Sequence, residues 1–302
     1  MRDLGSQHGD VLLHPWDLAA DLSDSLPLQA GDEVGLVVAP YLTDPTILRY
    51  AAGLPGLRLV QLLTAGYDNA LAHQPPGVAL ANAAGVHDSA TAELALGLIL
   101  AAQRGIPDFV LGQAQQQWLP QTVRPGLADA RVLVVGYGRI GRAIAARLAP
   151  FEVSITAVAT RARAGDELVD RVHGLEELPA LLAHHEVVVL IVPLTEQTSR
   201  LVDATFLATM PDGALLVNVA RGSVVDTDAL LAELNSGRLR AALDVTDPEP
   251  LPSGHPLWSA PGLLVTPHVG GVSRAFRPRA LRLVREQLRR YAAGEPFANV
   301  VA

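Results

Sequence analysis

Residues 131–135 read Arg-Val-Leu-Val-Val and run straight into Gly136-Tyr137-Gly138-Arg139-Ile140-Gly141, after which the pattern is helical. An apolar run that stops at three glycines spaced G-x-G-x-x-G and restarts as a helix has few ways to fold. Gly136 permits the tight turn, Gly138 lets the backbone approach a pyrophosphate, and Gly141 lets helix and strand pack closely. The helix starting there offers unpaired N–H groups and the positive end of its dipole to the same point. The spacing alone arises by chance and is then only a flexible turn. With a strand before it and a helix after it, the favoured reading is a dinucleotide site at Gly136, Tyr137, Gly138, Arg139, Ile140 and Gly141.

The rest of the chain repeats the alternation of strand and helix. Val, Ile and Leu dominate short runs at 10–13, 34–39, 58–63, 154–158, 187–192, 214–219, 240–245 and 263–266. Runs with so little polar alternation are buried on both faces, as in a parallel sheet flanked by helices. Helical patterns fall at 46–52, 89–104, 140–148, 176–184, 227–236 and 274–293. The whole is therefore α/β. Residues 105–130 carry Pro107, Pro120, Pro125, Gly112, Gly126 and three consecutive glutamines, and read as an irregular connection after a long helix. The sharpest nucleotide-binding unit begins only after it, so the first part of the chain forms another α/β unit. The last helix comes too late for the nucleotide sheet and is placed back on that first unit. The expected division is 1–89 with 271–302 as a discontinuous substrate domain, and 90–270 as the dinucleotide-binding domain.

Composition mainly excludes. The 302 residues are enough for two full-sized cores, and 49% apolar content argues for a globular chain. There is no cysteine, which removes disulfides, thiolate zinc sites and cysteine nucleophiles. All 23 basic residues are arginine. Without lysine there is no Schiff base, no Walker A loop and no Tyr–Lys dehydrogenase pair. A net charge of −8 argues against nucleic acid or an anionic membrane as the main partner. The N-terminus lacks an apolar signal core, and the longest apolar stretch, near 94–102, is far short of a membrane span. The expectation is a cytoplasmic protein with no metal site.

The strand after the glycine turn bears on cofactor choice. For NAD it should end in an acid that accepts from the ribose 2′-OH. Ala159 stands there, followed by Thr160, Arg161, Ala162 and Arg163, with no acid until Asp166. Either Arg161 and Arg163 fork onto a 2′-phosphate beside Thr160, or they are solvated loop charges. The first reading is preferred, which makes NADP(H) the expected cofactor and NAD(H) the alternative.

Three polar residues, Arg221, Glu249 and His268, each end an apolar run in the C-terminal half. In that order they supply an anion clamp, a carboxylate and a titratable acid/base, as reduction of a 2-keto acid requires. The planar fork of Arg221 suits a carboxylate together with the neighbouring carbonyl oxygen. His268 would give a proton to that oxygen, or take it in the oxidative direction. Glu249 would bond the far ring nitrogen of His268, fixing the tautomer and favouring the imidazolium. Taken singly, an arginine is more often a surface ion pair, a histidine structural and a loop carboxylate solvated; the surrounding motifs reverse this. His87 lies near the expected domain junction and could reach a cleft there. Trp258 reads as packing, and Phe276 with Arg277 as a core and surface pair.

From Leu133 onward the chain resembles the D-2-hydroxyacid dehydrogenase family, glyoxylate/hydroxypyruvate reductases included. The resemblance is carried by 134–141, then Val192-Pro193-Leu194-Thr195, Val217-Asn218-Val219-Ala220-Arg221-Gly222, Ala242-Leu243-Asp244-Val245, Asp247-Pro248-Glu249-Pro250-Leu251 and Thr266-Pro267-His268-Val269-Gly270-Gly271. In the less similar first eighty residues, Leu63-Thr64-Ala65-Gly66-Tyr67-Asp68 resembles the family's substrate-carboxylate loop. The resemblance implies two doubly wound parallel-sheet domains with a cleft between them, a Rossmann domain inserted in a discontinuous flavodoxin-like substrate domain. It also implies a homodimer built around helix 89–104. By the same resemblance, the backbone N–H groups of Ala65 and Gly66 bind the substrate carboxylate, Asp244 meets the nicotinamide carboxamide, and Val192, Pro193, Thr198, Val219, Ala220 and Gly270 line the cofactor. Formate dehydrogenases of the family carry Gln where Glu249 stands, which argues for keto-acid reduction. Glu152, where relatives often have Gly, and Thr246, often aromatic in relatives, depart from the pattern. The expected activity is reduction of small 2-keto acids such as glyoxylate or hydroxypyruvate. A phosphoglycerate-type NAD dehydrogenase is one alternative, weakened because the chain ends soon after its last helix. A non-catalytic NAD(P)H-sensing protein like the family's corepressors is another, disfavoured by the lack of basic flanks.

Overall fold

The structure, a computed structural model, describes residues 11–15 and 32–302. The strand expected at 10–13 begins outside them, and its described part, 11–13, is not in a strand. The chain forms two compact units, Met1–His87 with Arg274–Ala302, and Asp88–Ser273. Both are α/β with parallel sheets. No single helix among the described residues is long and apolar enough to cross a membrane.

The smaller unit holds a parallel sheet ordered β1 (Leu36–Val38), β2 (Leu59–Gln61), β3 (Ala79–Ala81). The first two were legible as Val/Leu runs. The third, Ala-Leu-Ala, carries no β-branched residue and was missed. Every residue of β2 is buried, including Gln61. Its amide is satisfied by Leu62 O, Asn82 O and the Gln287 side chain of the last helix, Phe276–Ala293, so the helix is hydrogen-bonded to this sheet. The helix expected at 46–52 is a 3-10 helix, Pro45–Ala51, started by the Asp44 side chain on Thr46 N.

The larger unit has β4 (Arg131–Val135), β5 (Ser154–Val158), β6 (Arg163–Ala164), β7 (Arg171–His173), β8 (Val187–Leu190), β9 (Leu215–Asn218), β10 (Arg240–Leu243) and β11 (Leu263–Val265). Their order is β11-β10-β9-β8-β4-β5-β7-β6. All pairs are parallel except β6 with β7. The chain winds outward from β4 through β5 to β7, then returns to β8 and winds the other way. The β4/β8 junction is thus the topological switch point, where open α/β sheets bind ligands beyond the strand ends.

Successive side chains of each strand serve opposite faces. Leu133, Val135, Leu190 and Leu216 pack with Phe206, Leu207, Leu230 and Leu234. Val132, Val134, Val189 and Leu215 pack with Ile99, Ile144 and Leu148 on the other face. Each such side chain contributes about 1.5–3 kcal/mol by burial, so a polar residue on either face would be costly. This is why the strands read as unbroken apolar runs.

Two helical stretches of the larger unit also differ from expectation. The stretch 105–130 is not wholly irregular: Gly105 (φ 67°) stops the preceding helix, Asp88–Arg104, and a further helix, Ile106–Ala114, starts at once. Pro107 sits in its first turn, where no backbone donor is needed, so it starts the helix rather than breaking it. The helix expected at 176–184 is a 3-10 turn, Leu175–Glu177, followed by a short α-helix, Leu178–Leu182. Glu152 adopts φ 59°. This is the left-handed region that favours glycine, and a Cβ there costs about 1–2 kcal/mol.

Candidate active site

The glycine turn at the end of β4 is sterically closed to anything larger at two of its three positions. Gly136 has φ 111°, and a Cβ there would lie 2.3 Å from Ile191 O. A Cβ on Gly141 would lie 2.1 Å from Gly136 O. At Gly138 a Cβ would meet no protein atom within 4 Å. Gly138 is also the N-cap of the helix Arg139–Leu148 and offers it no side-chain cap. The open space therefore sits against uncapped N–H groups at a helix start, which is an anion site. These residues fit a dinucleotide pyrophosphate.

Beside the turn lies a cavity of about 310 Å³ lined by Tyr137, Gly138, Arg139, Arg142, Arg163 and Asp166, among others. Arg163 Nη2 donates to Tyr137 O at 2.5 Å, and its guanidinium lies 6.0 Å from the Tyr137 ring centre. Tyr137 Oη donates to Asp166 at 3.0 Å, and Arg142 Nε donates to the same carboxylate at 3.0 Å. Arg142 also pairs with Glu167. Burial, then the bond to Asp166, pushes the Tyr137 hydroxyl well above its ordinary range. Partial desolvation acts to raise the Asp166 carboxyl, but hydrogen bonds from Leu168 N–H, Tyr137 and Arg142 prevail and hold it below the usual value.

Thr160 and Arg161 were expected here, but neither lines the cavity, whereas Arg163 does. Arg142 and Asp166 were not expected. The short β6–β7 hairpin folds 163–173 back beside the glycine turn, so counting along the chain places Asp166 too far away. The signal for Arg142 was its place directly after Gly141.

Arg221, Glu249 and His268 follow β9, β10 and β11 respectively. These strands are adjacent and parallel. Neighbouring strands lie ~4.8 Å apart, so the three loops share one edge of the sheet, the edge that also carries the glycine turn. Two loops touch backbone to backbone, since a Cβ on Gly222 would lie 1.9 Å from Thr246 O. His268 Nδ1 lies 2.5 Å from Glu249 Oε1, with the two side chains 44% and 38% exposed. A carboxylate on Nδ1 holds the proton there, so the exchangeable position is Nε2.

The loop bearing His268 is itself tied down. His268 adopts φ 52°, and its N–H donates to Asp244 O at 2.8 Å. The buried Asp244 carboxylate accepts from Thr266 Oγ1 (2.6 Å), Val269 N (2.9 Å) and Gly270 N (2.8 Å). Asp244 and Gly270, expected on the cofactor, thus spend these groups on each other and on the loop. Asn218 does similar work for Arg221: its Nδ2 donates to Arg221 O and its Oδ1 accepts from Ala220 N. Sequence reading missed Asn218 as a site residue, because a polar end to an apolar strand carries no distinctive spacing. Arg221 Nη1 donates to Ala220 O at 2.8 Å.

Val192, Val219 and Ala220 are buried at the ends of β8 and β9. Thr198 Oγ1 donates to Pro193 O at 2.6 Å and accepts from Thr195 N, which closes the loop after β8. Thr246 is buried, its hydroxyl on Pro248 O. Trp258, expected to pack, is 57% exposed with its indole N–H on Pro252 O. In the smaller unit, Ala65 and Gly66 form a half-buried turn beyond β2. Phe276 stacks on Tyr41 (4.2 Å) and His87 (5.4 Å).

The family model described as D-isomer specific 2-hydroxyacid dehydrogenase, NAD binding domain, matches residues 96–270. A glyoxylate reductase of Thermofilum pendens is 34% identical over 262 residues, covering 84% of this chain and 77% of its own. The human glyoxylate reductase/hydroxypyruvate reductase is 32% identical over 256 residues, covering 82% of this chain and 78% of its own. Among solved structures, a D-isomer specific 2-hydroxyacid dehydrogenase from Xanthobacter autotrophicus in complex with NADPH and MES superposes with a TM-score of 0.76. It is 36% identical, and the match covers 89% of this chain and 84% of that one.

Proposed function

Since this chain belongs to the D-isomer specific 2-hydroxyacid dehydrogenase family, oxidoreductases acting on CH–OH donors with a nicotinamide dinucleotide, we propose that it reduces small 2-keto acids of the glyoxylate/hydroxypyruvate type to D-2-hydroxy acids, with NADPH preferred. The observation that carries this reading is the His268–Glu249 pair on the sheet edge that also bears Arg221 and the glycine turn.

A bound nicotinamide supplies the hydride. Arg221 grips the carboxylate and polarises the adjacent carbonyl. His268 Nε2 delivers the proton to the carbonyl oxygen, while Glu249 on Nδ1 fixes the tautomer and stabilises the imidazolium. The N–H groups of Ala65 and Gly66 are carboxylate donors.

Support for NADPH comes from the cavity beside the turn, whose lining includes Arg163 and Arg142, guanidinium groups of the kind that suits a ribose 2′-phosphate. Asp166 is already hydrogen-bonded by Tyr137 and Arg142. The test is a matrix of keto acids against NADH and NADPH. kcat/KM with NADPH should exceed that with NADH, and Arg163→Ala should lower the NADPH value by roughly tenfold with little change for NADH. A wild-type preference for NADH would remove the cofactor assignment. Tight NADPH binding without turnover of any keto acid would favour the sensor reading.

A homodimer is part of the proposal. Phe109, Val110, Leu111, Trp118 and Val123 are exposed, Trp118 at 93%. A run of apolar side chains held out in this way is typical of a surface that a partner covers. Sedimentation at micromolar concentration should give a dimer, and a monomer would refute it.

A further inference from the structure

Five consecutive carbonyls after β2 are each held by a donor. Leu62 O accepts from Gln61 Nε2 (2.7 Å), Leu63 O from His87 Nε2 (2.8 Å), and Thr64 O from Ala83 N (2.8 Å). Ala65 O accepts from Asn82 Nδ2 (2.7 Å) and Gly66 O from Thr64 Oγ1 (2.7 Å). In a trans peptide the carbonyl and the following N–H point in opposite directions. Anchoring the carbonyls of Thr64 and Ala65 on residues 82–83 therefore turns the N–H groups of Ala65 and Gly66 to the opposite side. Among the described residues neither N–H has an acceptor.

Two of these side-chain donors, Asn82 and His87, come from the segment after β3. Asn82 is buried, its Nδ2 on Ala65 O and its Oδ1 accepting from Ala84 N at 3.2 Å. His87 is 4% exposed, and its ring stacks with Tyr41 and Phe276. Because Nε2 faces a carbonyl it carries the proton. That leaves Nδ1 a buried nitrogen without a partner. Stranding a polar atom in this way is destabilising. A phenylalanine would complete the same stack without that cost, so what the imidazole adds is the bond to Leu63.

We propose that Asn82 and His87 are positioning residues that hold the Ala65–Gly66 turn as a receptor for the substrate carboxylate. This rests on the reading of that turn in the functional proposal. Asn82→Asp keeps the side-chain shape and the acceptor for Ala84 but loses the donor to Ala65. His87→Phe keeps the stack and loses the anchor on Leu63.

The experiment measures glyoxylate kinetics, oxamate binding to the NADPH complex by fluorescence, and Tm. Asn82→Asp should raise KM and the oxamate Kd in parallel by roughly 10- to 100-fold, with kcat and the NADPH Kd near wild type. His87→Phe should raise KM severalfold while Tm stays level or rises. A purely structural role would instead lower Tm and leave KM unchanged. Wild-type KM and oxamate affinity in both variants would overturn the proposal, and so would a wild-type complex that binds no oxamate. Oxamate binding that weakens as expected, in a protein that turns over no keto acid, would refute the functional reading and leave this one standing.

Discussion

His268→Asn should lower kcat for keto-acid reduction by about 10²–10⁴-fold while NADPH still binds as in the wild type. Asparagine can keep a donor near Glu249, which lies 2.5 Å from His268 Nδ1, but it carries no transferable proton. The loop should survive the change. Its anchors are the main-chain N–H groups of His268, Val269 and Gly270 and the Thr266 hydroxyl, all on Asp244. Single-turnover kinetics separate the chemical step from binding. Wild-type kcat in this variant would remove His268 from the mechanism.

Arg221→Ala should lower kcat/KM by on the order of 10²–10³-fold, because two charge-assisted hydrogen bonds to one anion are lost together. Lysine should restore little, since a point charge does not reproduce the planar fork. Asn218 grips the main chain on either side of Arg221 rather than its side chain, so Tm should hold. Added guanidinium ion should recover part of the rate in the alanine variant. Undiminished kcat/KM there would place the substrate's anion elsewhere.

Both variants act on residues that the amino-acid sequence by itself singles out. Arg221, Glu249 and His268 follow β9, β10 and β11, and the first of these reads as a nearly unbroken apolar run because it is buried along its whole length. The glycine turn was legible for a steric reason: at Gly136 and Gly141 a Cβ would collide with backbone. Constraints of that kind leave a mark at a fixed spacing.

Other parts left no such mark. Ala79–Ala81 pairs with β2 because of its place in the sheet, not its composition. Arg163 and Asp166 reach the cavity through a two-residue strand with exposed side chains, whereas Arg161, close by in sequence, does not line it. Asn82 and Asp244 act by bonding groups of other loops, and nothing in their neighbouring residues announces those partners.

The amino-acid order alone determined the α/β alternation and the conformation of the glycine turn, and it singled out Arg221, Glu249 and His268 as candidates, since burial periodicity and steric exclusion are local properties of a chain. Tertiary structure alone decided which loops share an edge, which carbonyls are anchored and which guanidiniums face the cavity. Those outcomes depend on strand order and on hydrogen bonds between segments far apart in sequence, so they exist only once the sheet has closed on its own partners.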